Sequence, residues 1–515
     1  MTRPQTLGEL KASDYRPRGI KEELRDNLRR ALRRGDNPFE GIHGYERTVL
    51  PALHNAILSK HDLLLLGLRG QAKTRLLRLL VNLLDPEIPG ITGSELNEDP
   101  FHPITKYGRR ILREKGDQTP IAWIPRDERY REKLATPDVT IADLIGDIDP
   151  IKAATERRSY SDEEVIHFGI VPRTNRGIFA INELPDLQPR IQVGLLNILE
   201  ERDLQIRGFP VRIPLDILLV FSANPEDYTN RGNIITPLKD RISSQIVTHY
   251  PEDVKTAARI TAQEAWLDRQ EEPHVEIPDL FRELIEEIAF AARSSEFVDQ
   301  SSGVSARMPI SAIEILASNL ERRGLRRGES RVAPRLCDLP ACLPAITGKV
   351  EMVYEGEQQG AEVVAKKLIG TAVKKLFDAK FPPPDSGRPT QRRTLPTEEE
   401  NGEELGAVRR ARAAPAPEKI HAAYAPIVQW FAAGNRVTIS DDSSFAEHLA
   451  TLESIPGLKT SVEEHFAPAS PEELAIGMEL VLEGLTQHLK IARQDLDSRV
   501  SYTEMLKFNL VQSRS

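Results

Sequence analysis

Along the first half of the chain, short and nearly unbroken apolar runs alternate with longer stretches in which apolar residues recur every three or four positions. The runs are 62–66 (DLLLL), 177–181 (GIFAI), 216–221 (DILLVF) and 245–248 (QIVT). Runs of this length and continuity predict strands buried on both faces. Between them lie helical patterns such as 190–201 (RIQVGLLNILEE). The alternation predicts an α/β core, a parallel sheet with helices on both sides. Ahead of it, 21–34 (KEELRDNLRRALRR) predicts a charged amphipathic helix, an N-terminal brace. Gly41 and Gly44 break the pattern, and a second helix over 46–58 leads into the first strand.

After Tyr250 the pattern turns helical. Stretches 251–269, 278–293 and 309–323 each carry proline at the start, as helices tolerate, and they predict a helical lid. The stretch 382–417 contains PPP, EEE and AAPAP and few large apolar residues, which predicts a flexible linker. Beyond it 420–431 and 471–493 predict helices and 436–439 a short strand. The expected division is a brace at 1–40, an α/β domain at 41–250, a lid with its extension at 251–381, the linker at 382–417 and a mainly helical module at 418–515. No internal repeat is found.

A length of 515 residues suits roughly three domains, and an apolar share of 40% is enough to fill their cores. No stretch approaches the ~20 apolar residues of a membrane span. Glu9, Asp14 and Glu22 interrupt the basic N-terminus and no apolar segment follows, against a signal peptide. Two cysteines, Cys337 and Cys342, make neither a disulfide framework nor a zinc quartet; they are expected to be reduced thiols in a cytoplasmic protein. The formal charge of −9, from 69 basic and 78 acidic residues, argues against a bulk nucleic-acid binder, though not against a local basic surface.

The most specific chemistry is the octapeptide GLRGQAKT at 67–74. It follows an apolar strand and opens a leucine-rich helix, the context in which G-x-x-x-x-G-K-[ST] spacing makes a phosphate cradle. Backbone N–H groups of Gly67, Gly70, Gln71, Ala72 and the following residues to Arg75 would face the anion. Lys73 would reach the β and γ phosphates and Thr74 would hold Mg²⁺. Ala72 replaces the second consensus glycine. A positive φ there would cost alanine about 1–2 kcal/mol, so the loop is expected to keep Ala72 at negative φ.

Downstream, the strand at 177–181 ends in Asn182-Glu183. In phosphate-loop ATPases such a pair supports the Mg²⁺ shell and polarises the attacking water. Asn182 can accept a hydrogen bond but brings no charge; Glu183 suits a general base. Asn224, at the tip of the next strand and before Pro225, is placed to meet a γ-phosphate or its water, or to make an Asx turn. Arg241 precedes the last strand and is a candidate to reach a neighbouring subunit's γ-phosphate, or simply a surface ion-pair partner. Arg307 opens a lid helix, where the dipole disfavours it unless an anion or a carboxylate is near.

With these residues in this order, 41–325 resembles the AAA+ ATPases of the helix-2-insert group, closest to MoxR-type proteins and the ATPase I subunit of magnesium chelatase. In that resemblance 67–74 is Walker A in its MoxR-like form, where alanine commonly precedes lysine. Asn182 and Glu183 are Walker B with its first acid missing, Asn224 is sensor 1, Arg241 the arginine finger and Arg307 sensor 2. Ile42 and Gly44 sit where backbone meets the adenine. Stretches 144–150 and 167–172 resemble the helix-2 insert, and 203–214 the pre-sensor-1 hairpin. The resemblance implies a P-loop AAA+ core with a lid, ATP and Mg²⁺ as ligands, a hexameric ring, and a von Willebrand factor A domain protein as partner. It does not establish a metal substrate, and with no apolar span in the sequence no membrane is expected. Three functions are consistent with it: an ATP-driven remodelling motor, a nucleotide-gated scaffold with slow or no turnover (favoured by Asn182), and a DNA-acting ring using Arg207 and Arg212. The acidic balance and the absence of interleaved aromatics on the hairpin argue against the last.

Overall fold

In the computed structural model, five strands form one parallel sheet: β1 (Leu63–Leu66), β2 (Tyr130–Leu134), β3 (Gly177–Asn182), β4 (Ile217–Ala223) and β5 (Ser244–Val247), in the order β5-β1-β4-β3-β2. Residues 3–155, 162–201, 203–205, 212–225, 232–270, 272–386, 419–496 and 499–505 are described. Four strands coincide with the apolar runs to within two residues. The fifth, β2, does not, since its sequence YREKL carries three charges. It stands at the sheet edge, paired with β3 alone and only half-buried. An edge strand needs no continuous apolar run, and charge there blunts further pairing.

Successive residues of a strand face opposite sides, and the two sides bury different partners. On one, Phe179, Ile181, Leu219 and Phe221 pack with Ile191, Leu195 and Ile198 of helix α4 (Pro189–Glu200). On the other, Ile178, Ala180, Leu218 and Val220 meet α1 (Ile20–Arg34), α2 (Val49–Leu58) and α3 (Lys73–Leu79). The α2 helix starts three residues later than the pattern from 46 suggests. The predicted brace is α1, which ends where Gly35 adopts φ +76°, a left-handed cap. Its first amide, Ile20 N–H, donates to Asp216 Oδ2 at 2.8 Å. Glu23 on α1 takes a bidentate pair from buried Arg129, just before β2, at 2.8 and 2.6 Å.

Two antiparallel hairpins project from this core, Gly146–Ile148 with Ile166–Phe168 and Asp203–Gln205 with Arg212–Pro214. They fall on the two segments expected as inserts; Arg207, between the second pair, lies outside the described residues.

The chain divides into two compact units, the first comprising 1–256 with 301–305 and the second 257–300 with 306–515. In the second, α6 (Asp279–Arg293) and α7 (Arg307–Arg327) carry two of the lid patterns, α8 (Ala361–Lys380) is a further helix beyond those predicted, and α9 (Pro471–Gln487) from the C-terminal module packs on α8. The approach is close: a Cβ added at Gly484 of α9 would sit 2.3 Å from the Phe377 ring. The helix expected over 251–269 is confined to Val254–Glu264, and the one over 420–431 starts only at Ala425.

The helix expected over 471–493 stops at Gln487. Leu489 turns left-handed at φ +57°, and Lys490 N–H closes onto Leu485 O. Ala492–Leu496 is then a strand, paired antiparallel with Arg499–Thr503, which pairs with Val437–Ser440. Of the expected linker, Asp385 and Ser386 pair with Ile420 and Lys419; 387–418 lie outside the described residues.

Polar groups are buried where these elements meet inside the second unit. Arg323 of α7 holds Asp338 through both carboxylate oxygens at 2.7 Å. Leu336 N–H donates to Glu479 Oε2 of α9 at 2.6 Å, and His448 Nε2 lies 3.7 Å from Glu479 Oε1.

Candidate functional site

Parallel register brings the C-terminal ends of β1, β3 and β4 together: Leu66 is level with Ala223, and Ile181 with Phe221. That edge is where α/β sheets bind ligands. The loop 67–72 leaves β1 there, anchored by Gly67 N–H to Ala223 O at 3.2 Å. Gly67 is required by space, because an added Cβ would lie 2.0 Å from Thr248 Oγ1 and 2.2 Å from Gln71 Oε1. Those two side chains bond each other at 2.7 Å, so Gln71 pins the loop to the residue that follows β5.

Gly70 has φ +74°, and Ala72, capping α3, has φ +55° and ψ +18°. The expectation of a negative φ at Ala72 is therefore wrong. The loop must reverse sharply to deliver Lys73 into the first turn of α3, and the left-handed conformation does so at the cost alanine bears there. Lys73 is buried, and its Nζ donates to Leu68 O at 2.9 Å and also to Gly67 O. The ammonium thus lies over the loop's own carbonyl groups, within the cradle a phosphate would enter.

Thr74, one residue into α3, donates from Oγ1 to Asn182 Oδ1 at 3.3 Å. Ser222 of β4 donates to the same oxygen at 3.0 Å, and Glu183 N–H reaches Ser222 Oγ at 3.4 Å. Glu183 leaves β3 in the left-handed region, φ +56° and ψ +51°, a strained backbone of the kind that collects at functional sites. Asn224 is buried directly after β4. The structure thus gathers Lys73, Thr74, Asn182, Glu183 and Asn224 around the ends of α3, β3 and β4.

The donor set fits Mg²⁺ as a nucleotide carries it. Thr74 and Asn182 offer a pair of neutral oxygens, and Mg²⁺ commonly takes few protein ligands alongside waters and phosphates. Negative charge must then come from the phosphates and from Glu183. Among the described residues no cluster of three or more histidine, cysteine or acidic side chains is arranged to hold a metal.

Arg75 is half-buried on the first turn of α3. Ile42 is buried in the core beside α2, and Gly44 has φ +82°. The residue of this segment that touches the loop is Tyr45, whose hydroxyl lies 2.9 Å from Gln71 O and 2.8 Å from His249 O. Burial raises its pKa and keeps the phenol a donor. Neither Tyr45 nor Ser222 stands out in the sequence: one is a tyrosine before a helix, the other a serine in an apolar run. The segment 301–305 also meets the loop. Arg69 Nε donates to Ser302 O at 3.1 Å and Tyr250 hydroxyl to Arg69 O at 2.8 Å. Gly303, at φ +68°, lies against Leu68 and Tyr250.

Arg241 is not among the gathered residues. It ends α5 (Thr236–Arg241), where its Nε bonds Glu200 Oε2 of α4 at 2.7 Å and an NH group bonds Pro237 O at 2.9 Å. Arg307 is exposed at the start of α7, in the second unit.

A parallel sheet with a glycine-lysine-threonine loop at its C-terminal edge, facing a polar pair on a neighbouring strand, defines a P-loop nucleotide-binding fold. Residues 123–242 match the AAA domain (dynein-related subfamily), a stretch that takes in Asn182, Glu183, Asn224 and Arg241 but starts after the loop. The chain thus has a P-loop α/β core, a segment similar to an AAA domain and a mainly helical C-terminal region, and it is similar to an ATPase subunit of magnesium chelatase. It is 28% identical over 214 residues to magnesium-chelatase subunit ChlI of Euglena gracilis, an alignment covering 40% of this chain and 56% of that one. The chain therefore spans little more than half the length of this relative.

Among solved structures, a complex between subunits BchI and BchD of magnesium chelatase superposes with TM-score 0.33 at 19% identity, covering 62% of this chain and 98% of the other. A putative ATPase from Cytophaga hutchinsonii gives TM-score 0.28 at 16% identity, covering 70% and 97%. Both superpositions are poor.

Proposed function

We propose that the protein binds Mg-ATP on the 67–75 loop and hydrolyses it to remodel or activate a partner protein, in the manner of a chaperone. The observation that carries this reading is the hydrogen-bonded set Thr74–Asn182–Ser222–Glu183, because it links the first turn after the 67–72 loop to the residue proposed as the base. Lys73 would exchange its bonds to the loop carbonyls for bonds to the β and γ phosphates. Thr74 and Asn182 would face Mg²⁺, which neutralises phosphate charge when bound. Glu183 would accept the proton of the attacking water and Asn224 would orient that water.

Arg241 would complete the site from an adjacent subunit, which calls for a ring, in our reading a hexamer. To do so it must release Glu200. Arg307 would contact the nucleotide as sensor 2, and Ile42 and Gly44 would line the adenine. A von Willebrand factor A domain protein is the proposed partner and the cytoplasm the proposed compartment; among the described residues no helix is long and apolar enough to cross a membrane.

The second reading, a nucleotide-gated scaffold, is favoured by the neutral Asn182. The two part on turnover. Lys73→Ala should abolish ATP binding in calorimetry; unchanged affinity would remove the phosphate cradle. Glu183→Gln should retain ATP and lose hydrolysis. A wild type that hydrolyses ATP in a manner dependent on Mg²⁺ and Glu183 is a motor. One that binds but never turns over, with or without partner, is the scaffold.

A further inference from the structure

Ser222 is the polar exception in a strand that is otherwise apolar and buried throughout, ILLVFSA. It is 1% exposed. A buried hydroxyl is costly unless bonded, and here both of its roles are filled: Oγ accepts Glu183 N–H and gives its single proton to Asn182 Oδ1. The relay has a direction. The hydroxyl keeps a second lone pair, but its one proton needs an acceptor, and Asn182 Oδ1 is the atom it meets; with the amide turned over, that buried proton would face an NH₂ group instead.

That direction matters only because residue 182 is an amide. A carboxylate presents two equivalent acceptor oxygens whichever way it turns. An amide has one acceptor and one NH₂. Rotated by half a turn, Asn182 would present two protons to Thr74 and to any cation beside it. Thr74 gives its proton to the same Oδ1, which leaves the Thr74 lone pairs for a cation.

We propose that Ser222 is a positioning residue that holds the Asn182 amide with its carbonyl oxygen toward Thr74, so that a neutral side chain can support the Mg²⁺ of a bound nucleotide where a carboxylate would otherwise be needed. The proposal rests on the nucleotide-site reading above and adds to it an orientation lock peculiar to asparagine at 182.

The test is a double-mutant cycle read by calorimetry of ATP binding, with and without Mg²⁺, on the full chain. Ser222→Ala should reduce the gain in affinity that Mg²⁺ confers by roughly tenfold, the size of one lost hydrogen bond. Asn182→Asp should raise that gain. In the Asn182→Asp background, Ser222→Ala should change it by less than about twofold, since a carboxylate has no wrong face. Ser222→Thr keeps the hydroxyl and should restore the wild-type Mg²⁺ dependence. Ser222→Cys, close to serine in size and a weak donor, serves should the alanine variant fold poorly, and should lose most of the gain. A purely structural Ser222 would lower Mg²⁺-free binding too and act equally in both backgrounds; that result overturns the proposal. Wild-type protein that binds no nucleotide overturns the site reading and the proposal with it, whereas normal wild-type binding with equal Ser222→Ala losses overturns the proposal alone.

Discussion

Ala72 carries a left-handed backbone that alanine adopts at a penalty of about 1–2 kcal/mol. Glycine removes that penalty but adds about 0.5–1 kcal/mol of conformational freedom to the unfolded chain. The Ala72 methyl is exposed, so little packing is lost with it. Ala72→Gly should therefore be neutral to stabilising, by up to about 1 kcal/mol in urea unfolding, with ATP affinity nearly unchanged. A clear loss of stability would mean the methyl contributes contacts that its exposure does not suggest. At this scale the sequence shows residue types and spacing but not torsions. It marks Lys73 and Thr74 because their motif is local. It is silent on Gln71–Thr248 and Ser222–Asn182, whose partners are far apart in the chain and meet only through sheet register.

Among the elements, α1 shows how a brace is held. Glu23 and Arg129 are both buried, form two hydrogen bonds with each other, and draw in Asp85 N–H and Arg176 O as further partners. Removing one member leaves the other charge buried, at a cost of roughly 3–5 kcal/mol. Glu23→Ala should lower the unfolding free energy measured by denaturant titration by that much, and Glu23→Met with Arg129→Met should recover most of it; a double variant no better than the single would show that the backbone partners, not the charges, dominate. The α1 helix was legible because its amphipathic pattern is strong, but its anchor was not, since Arg129 lies in a charged stretch with no periodicity. The same physics hid β2, an edge strand free to be polar. It also misled at 488–493, where the apolar spacing of α9 runs on past the left-handed Leu489 that ends it.

For the whole molecule, the second unit should respond to pH through Glu479 and His448. Burial, with Asp338 and Glu483 nearby, pushes Glu479 from 4.5 up to about 8, against the Leu336 amide and Arg335, which pull the other way. Burial, with Arg335 and Arg323, lowers His448 from 6.5 to about 3. Folded Glu479 keeps a proton that the unfolded chain gives up above 4.5, so its contribution is full below 4.5 and is lost as pH rises toward 8. His448 acts oppositely: its contribution is full above 6.5 and is lost as pH falls toward 3. Between 4.5 and 6.5 the two offset each other; between 6.5 and 8 Glu479 acts alone. Hydrogen exchange at the Leu336 amide should accelerate from pH 6.5 to 8 beyond its intrinsic rate, and Glu479→Gln should flatten that rise. A wild-type profile as flat as that of the variant would place the proton elsewhere.

Residues 301–305 belong to the first unit while the chain on both sides of them belongs to the second. The backbone therefore passes between the units three times, after 256, 300 and 305, like thread through two layers of cloth. No single cut separates them. A fragment ending at 256 would lack the Ser302 carbonyl that takes Arg69 and the Gly303 that lies against Leu68, so its phosphate loop would be missing part of its wall. A fragment beginning at 257 would carry that stitch with nothing to sew it to. Dissection of this chain into working halves thus calls for grafting the five residues back.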